Sequence, residues 1–163
     1  MVAYHRGDGE RAGLLARRAL ELAEEVGNIH ALAQAHNMLG ILEGSFGHWE
    51  AARDHLGRSL SLAEALPDSG ARVAAMQNLA SVCWHDDDIE QARRLTAEAL
   101  LLSSAQGDRH REAALHNTMA DLLHAAGSGQ EATAHVKQAV AIYAEIGVEA
   151  GTVRPEVWKL TEW

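Results

Sequence analysis

The 163-residue chain is 47% apolar but only 4% aromatic, and 14 basic residues stand against 23 acidic ones for a formal charge of −9. Such an acidic surface repels phosphate and argues against direct nucleic-acid binding. No apolar run is long enough for a membrane span, and the lone Cys83 excludes an internal disulfide framework.

Along the chain, one pattern recurs every forty residues. Ala12, Ala52, Ala92 and Ala132 form one column. Five residues ahead of each stand Gly7, Gly47, Asp87 and Gly127, and eight behind stand Leu20, Leu60, Leu100 and Val140. Leu39, Leu79 and Met119 keep the same register, as do Leu42, Val82 and Leu122.

The first segment, "MVAYHR", corresponds to the end of a helix that turns at Gly7, and it is followed by a helix over 9–26. Two kinds of helix then alternate. First-type helices are predicted over 29–44, 69–84 and 109–125, capped by Asn28, Asp68 and Asp108. Second-type helices are predicted over 49–65, 89–106 and 129–146. Asp88 with Gln91, and Ser128 with Glu131, have capping-box spacing. Gly27, Gly107 and Gly147 stand where a helix end favours a left-handed residue. The units are therefore 1–28 (partial), 29–68, 69–108 and 109–148, with 149–163 as a capping segment. Pro155 falls in the first turn of that last segment, and Trp158, Leu160 and Trp163 are its apolar cover.

The densest chemistry lies in "SVCWHDDDIEQA", Ser81 to Ala92. In the forty-residue register, Asp87 and Asp88 fall in a turn between two helices, so a solvated turn with a cap is the expected role. Three consecutive carboxylates lack the alternating spacing and the glycine of a calcium loop. Cys83 falls on a packed column and reads as a small buried thiol in a reducing compartment, here the cytoplasm. His30 and His110, and likewise His36 and His116, are two units apart, too far to share a metal. His85, Asp121 and His124 come from neighbouring first-type helices and are the one set that could converge. No glycine-rich phosphate loop and no strand to carry one are predicted, so neither a cofactor nor an enzyme is expected.

The repeat resembles the tetratricopeptide repeat, whose signature runs W-x2-L-G-x2-Y and then A-x3-F. The matching positions are His36, Leu39, Gly40, Glu43, Ala52 and Leu56, then Met76, Leu79, Ala80, Cys83, Ala92 and Thr96, then His116, Met119, Ala120, Leu123, Ala132 and Val136. The period is forty rather than thirty-four, and the large aromatics of the signature are absent. The resemblance is therefore to the long-repeat branch. It implies an all-α fold, a right-handed superhelix of antiparallel helix hairpins. Small residues (Gly40, Ala80 and Ala120, with Ser59, Ala99 and Ala139) would lie where the helices of a hairpin touch.

In such a superhelix the first-type helices line the concave side. Gln34, Asn37, Ile41, Gln77, Ser81, Trp84, His85, Asn117, Asp121 and His124 then become the partner groove. Asn37, Gln77 and Asn117 form an amide row that could hold an extended peptide backbone, as in related arrays. The groove lacks the Lys and Arg of a carboxylate clamp, and together with the −9 charge this favours a neutral or basic protein or peptide partner. A metal-assisted hydrolase or a phosphatase-like regulator on the same repeats is the alternative. The tail "PEVWKLTEW" looks like the C-termini of actinobacterial antibiotic-regulatory and signal-transducing ATPase-type regulators. That likeness implies the interaction or sensor region of a larger bacterial regulator. The uncovered edge of the first partial unit suggests a homodimer.

Overall fold

The computed structural model describes residues 2–147, with side chains from Arg11 onward. The tail 149–163, with Pro155, Trp158, Leu160 and Trp163, lies outside the described residues. Seven α-helices and no strands are present among the described residues: α1 (Val2–Val26), α2 (Ile29–Ser45), α3 (Trp49–Glu64), α4 (Gly70–His85), α5 (Ile89–Gln106), α6 (Arg109–Ala125) and α7 (Gly129–Glu145). The fold is an all-α helical repeat, and six of the seven helices start and stop within about two residues of the predicted bounds.

Local chemistry explains that agreement. Asn28 Oδ1 accepts from the Ala31 N–H at 3.0 Å, and Asp108 Oδ1 accepts from the Arg111 N–H at 3.1 Å. Both close an orphan donor of the first helical turn. Asp68 acts one residue early: its Oδ1 takes the N–H of Gly70, the first residue of α4. The predicted cap at Ser128 does not form. No side-chain cap bond is made there.

Every described turn except the one between α3 and α4 passes through one left-handed residue. Five are glycines: Gly27, Gly47, Gly107, Gly127 and Gly147, with φ from +68° to +80°. The sixth is Asp87 at φ +59°, the one non-glycine with positive φ among the described residues. An L-residue is strained in this region, though Asp is among the better tolerated. The Asp run is thus the turn between α4 and α5, as the register required. It is held from outside by Arg53 on α3, whose guanidinium meets Asp86 Oδ2 at 3.0 Å and Asp88 Oδ2 at 3.2 Å.

The structure corrects the reading of the N-terminal segment. No turn forms at Gly7, and α1 runs unbroken from Val2. Continuing the helix adds one backbone bond per residue, which offsets the penalty of about 1 kcal/mol for a mid-helix glycine.

The chain forms two compact units, Met1–Asp88 and Ile89–Trp163. In the first, α2 packs on α1 and on α3, α3 packs on α4, and α2 also reaches α4. Its core gathers Ala52, Leu56 and Val82, flanked by Trp49 and Leu79. The α2–α3 crossing is close because α2 offers Gly40, where a Cβ would stand 2.9 Å from Leu56 Cδ2 and 3.2 Å from the Ala52 carbonyl oxygen. Buried Ser59 adds a bond the sequence did not suggest, donating its hydroxyl to the Ala33 carbonyl at 2.8 Å. In the second unit α6 packs on α5 and on α7, around Met119, Leu123 and Ala132. Arg109 at the start of α6 bonds Glu112 at 2.6 Å and also reaches Glu145 at the end of α7.

Candidate functional site

In the first unit a cleft of about 250 Å³ opens between α2 and α4, with α3 as its floor. Ile41, Gly44 and Ser45 form one wall, and Asn78, Ser81, Val82 and His85 the other. Trp49 and Leu56 rise from α3. The cleft exists because Gly44 has no side chain there. A Cβ at that position would press on Val82 Cγ2 at 3.3 Å and approach Trp49.

Two polar features line this space. The indole of Trp49 stacks on the imidazole of His85, with centroids 5.3 Å apart and planes 8° from parallel. Asn78 Nδ2 donates to Asn37 Oδ1 at 2.9 Å, tying α4 to α2. That bond uses one donor of Asn78 and the acceptor of Asn37. The volume fits one medium-sized apolar side chain, whereas pockets for whole small molecules are generally larger.

Among the predicted groove residues, the structure gathers Ile41, Ser81 and His85 in this cleft, with Asn37 joined to it through Asn78. Gln34 is exposed two turns before Ile41 on the same face of α2. Gln77 and the half-buried Trp84 do not line the cleft, and the Trp84 ring lies over the neighbouring His85, 6.3 Å between centroids. Asn117, Asp121 and His124 lie on α6 in the second unit, spaced to share one face. Gly44, Trp49 and Asn78 were not singled out by the sequence reading. Trp49 had a signal: the same slot elsewhere holds Gly9, Ile89 and Gly129, so no packing rule calls for an indole.

The remaining conspicuous chemistry is a pair of histidines inside each of two hairpins. His36 on α2 meets His55 on α3, Nδ1 to Nδ1, at 3.0 Å. His116 on α6 meets His135 on α7 in the same way at 2.8 Å. Burial, then the facing imidazole, pushes His36 and His116 below the ordinary histidine value, and burial does the same to His135. Cys83 is buried, and its thiol is pushed up by that burial. No three His, Cys, Asp or Glu side chains assemble into a metal-holding group among the described residues.

Hairpins of small-residue crossings, repeated at forty residues, have a counterpart among known families. Residues 72–145 match the tetratricopeptide repeat family. The matched tetratricopeptide span runs from Arg72 in α4 to Glu145 at the end of α7. Repeats of this family generally act as protein-interaction scaffolds. The solved structure of BtubC (BKLC) from P. vanneervenii aligns with a TM-score of 0.79 at 21% identity, covering 93% of this chain and 63% of that one. The chain thus spans less than two thirds of that protein's length. A Podosopora anserina protein with nearly identical TPR-like repeats aligns with a TM-score of 0.73 at 18% identity, covering 96% of this chain and 75% of that one. The apo form of RapI aligns with a TM-score of 0.63 at 14% identity, covering 90% and 66%. At these identities the likeness is one of fold. No curated protein matches the sequence.

Proposed function

We propose that this chain is a non-catalytic tetratricopeptide-type scaffold that binds a protein or peptide, with the α2–α3–α4 cleft as the seat of one apolar partner side chain. The observation that carries this reading is the cleft itself: an apolar floor, a stacked Trp49–His85 platform and an amide pair, all on one face. The amides suit a partner's backbone, and the −9 charge suits a neutral or basic partner. Gln34 and Gln77 extend the contact along α2 and α4, and Trp84 adds apolar area beside His85. Asn117, Asp121 and His124 on α6 offer a second polar face. The regulator-like tail supports placing this scaffold in the interaction or sensor region of a bacterial cytoplasmic regulator.

The test is selection of displayed peptides on the purified chain, followed by titration of the selected sequences against Ser81→Trp. Ser81 is exposed and lines the cleft, so an indole there fills the space without entering the core. The expected result is enrichment of neutral or basic peptides with one apolar anchor, and at least a tenfold loss of affinity in the variant. Unchanged affinity would remove the cleft from the binding face.

A second surface supports self-association. On α1, Leu14, Leu15 and Val26 are 64%, 65% and 77% exposed. Leu15 occupies the register slot of His55 and His135, which are covered within hairpins. Sedimentation of the wild-type chain is expected to show a dimer that Leu15→Glu dissociates. A monomer at all concentrations would end this reading.

A further inference from the structure

We propose that the two histidine pairs are proton-operated latches, which hold the α2–α3 and α6–α7 hairpins closed at neutral pH and release them when both rings of a pair are protonated. The geometry is the same in both places. The Nδ1 atoms face one another at 3.0 Å in the first pair and 2.8 Å in the second, so one must donate its proton to the other's lone pair. The pairs are also equivalent in the chain. Adding eighty to 36 and 55 gives 116 and 135. The same two slots in the intervening repeat hold Met76 and Leu95, so the fold itself accepts apolar residues there.

Proton balance makes the latch asymmetric. In the neutral pair one Nδ1–H donates to one bare Nδ1. A first added proton goes to Nε2 of the donor ring, and the contact survives as a charge-assisted bond. A second proton has only the accepting Nδ1 left to take. Two N–H groups then face each other between two positive rings, with no lone pair between them. The rings must part, which breaks the contact they make between the two helices. The macroscopic steps belong to the pair and not to either ring.

The surroundings oppose that second charge without preventing it. Glu24 on α1 and Asp54 on α3 favour a charged His36, while Arg58 on α3 and His55 disfavour it. In the second unit Glu112 on α6 favours a charged His116, and Arg109 and His135 disfavour it. Glu131 on α7 favours a charged His135. Burial outweighs these carboxylates at all three rings. A metal is a poorer occupant than a proton, because a pair offers two nitrogen donors and no third ligand joins them among the described residues.

The sign follows from linkage. The folded chain holds His36, His116 and His135 below the ordinary value of 6.5, so the unfolded chain takes up their protons first as the medium acidifies. Stability is therefore full above that value and falls on acidification through the lowered values.

Urea unfolding of the full chain between about pH 7.5 and 5.0 tests the latch, comparing wild type with the combined variant His36→Met, His55→Leu, His116→Met and His135→Leu. The wild-type folding constant is expected to drop by up to about tenfold per pH unit for each proton excluded from the folded state. The variant is expected to lose that slope. An equal slope in both chains would overturn the proposal. Should the variant fail to fold, NMR titration of ring carbons in wild type decides. Two separated steps within each pair support the latch, and a single step at the ordinary value overturns it.

Discussion

Truncating Leu56 to alanine is expected to destabilise the Met1–Asp88 unit by about 2–5 kcal/mol, measured by urea unfolding. Leu56 is fully buried, with Ala52, Val82, Trp49 and Leu79 around it. The space it would vacate cannot close by moving α2 toward α3. The helices already meet through Gly40, where an added Cβ would lie 3.2 Å from the Ala52 carbonyl oxygen. The loss would therefore include both the transferred side chain and the hole left behind. The same contact provides a check by compensation. Gly40→Ala drives a methyl group into Leu56 in the wild type, at about 1–3 kcal/mol against a helix-propensity gain of about 1 kcal/mol. In the Leu56→Ala background the clash with the leucine is gone and only the 3.2 Å approach to the Ala52 carbonyl oxygen remains, so Gly40→Ala is expected to restore part of the lost stability. Strict additivity of the two substitutions would show that the residues do not touch as described.

Ala52→Leu and Ala132→Leu are each expected to destabilise their own unit by about 1–3 kcal/mol. Both residues are 0% exposed, at equivalent places in the α2–α3 and α6–α7 hairpins. At the first crossing, Gly40 and Gly44 stand opposite Ala52, and a Cβ at Gly44 would be 3.8 Å from the Ala52 methyl. Three further carbons have no room unless the hairpin opens. Ala51→Leu supplies the control, because Ala51 is an exposed neighbour on the same helix. That substitution is expected to stay within about 0.5 kcal/mol of wild type. A melting temperature unchanged by Ala52→Leu would misplace the crossing.

These two expectations rest on contacts the sequence already revealed. Ala and Gly at fixed register positions mark where helices approach, because any larger residue would hold them apart. Helix ends were legible for a related reason: left-handed glycines and Asn or Asp caps act within one turn of themselves. Contacts that depend on how far each helix rotates about its axis were not legible. Asn37 bonds Asn78 rather than joining a row with Gln77, and Trp49 rather than Trp84 meets the face of His85 from another helix. His55 and His135 escaped notice because each sits one residue before a core column, where a polar side chain is ordinary. Only the matching presence of His36 and His116, with Met76 and Leu95 between, marks them as partners. Ser128 has a capping residue's identity yet makes no cap bond, and identity alone does not reveal that.

The left-handed residue at every described turn but the one between α3 and α4 has a consequence for how such a chain can diversify. At those turns the backbone itself makes the reversal, so the outward helix positions owe nothing to it. They can be rewritten while the scaffold persists, which is consistent with aligned structures that share only 14% to 21% of their residues with this one. Replacing the exposed residues of α2 and α4 should therefore leave the frame intact.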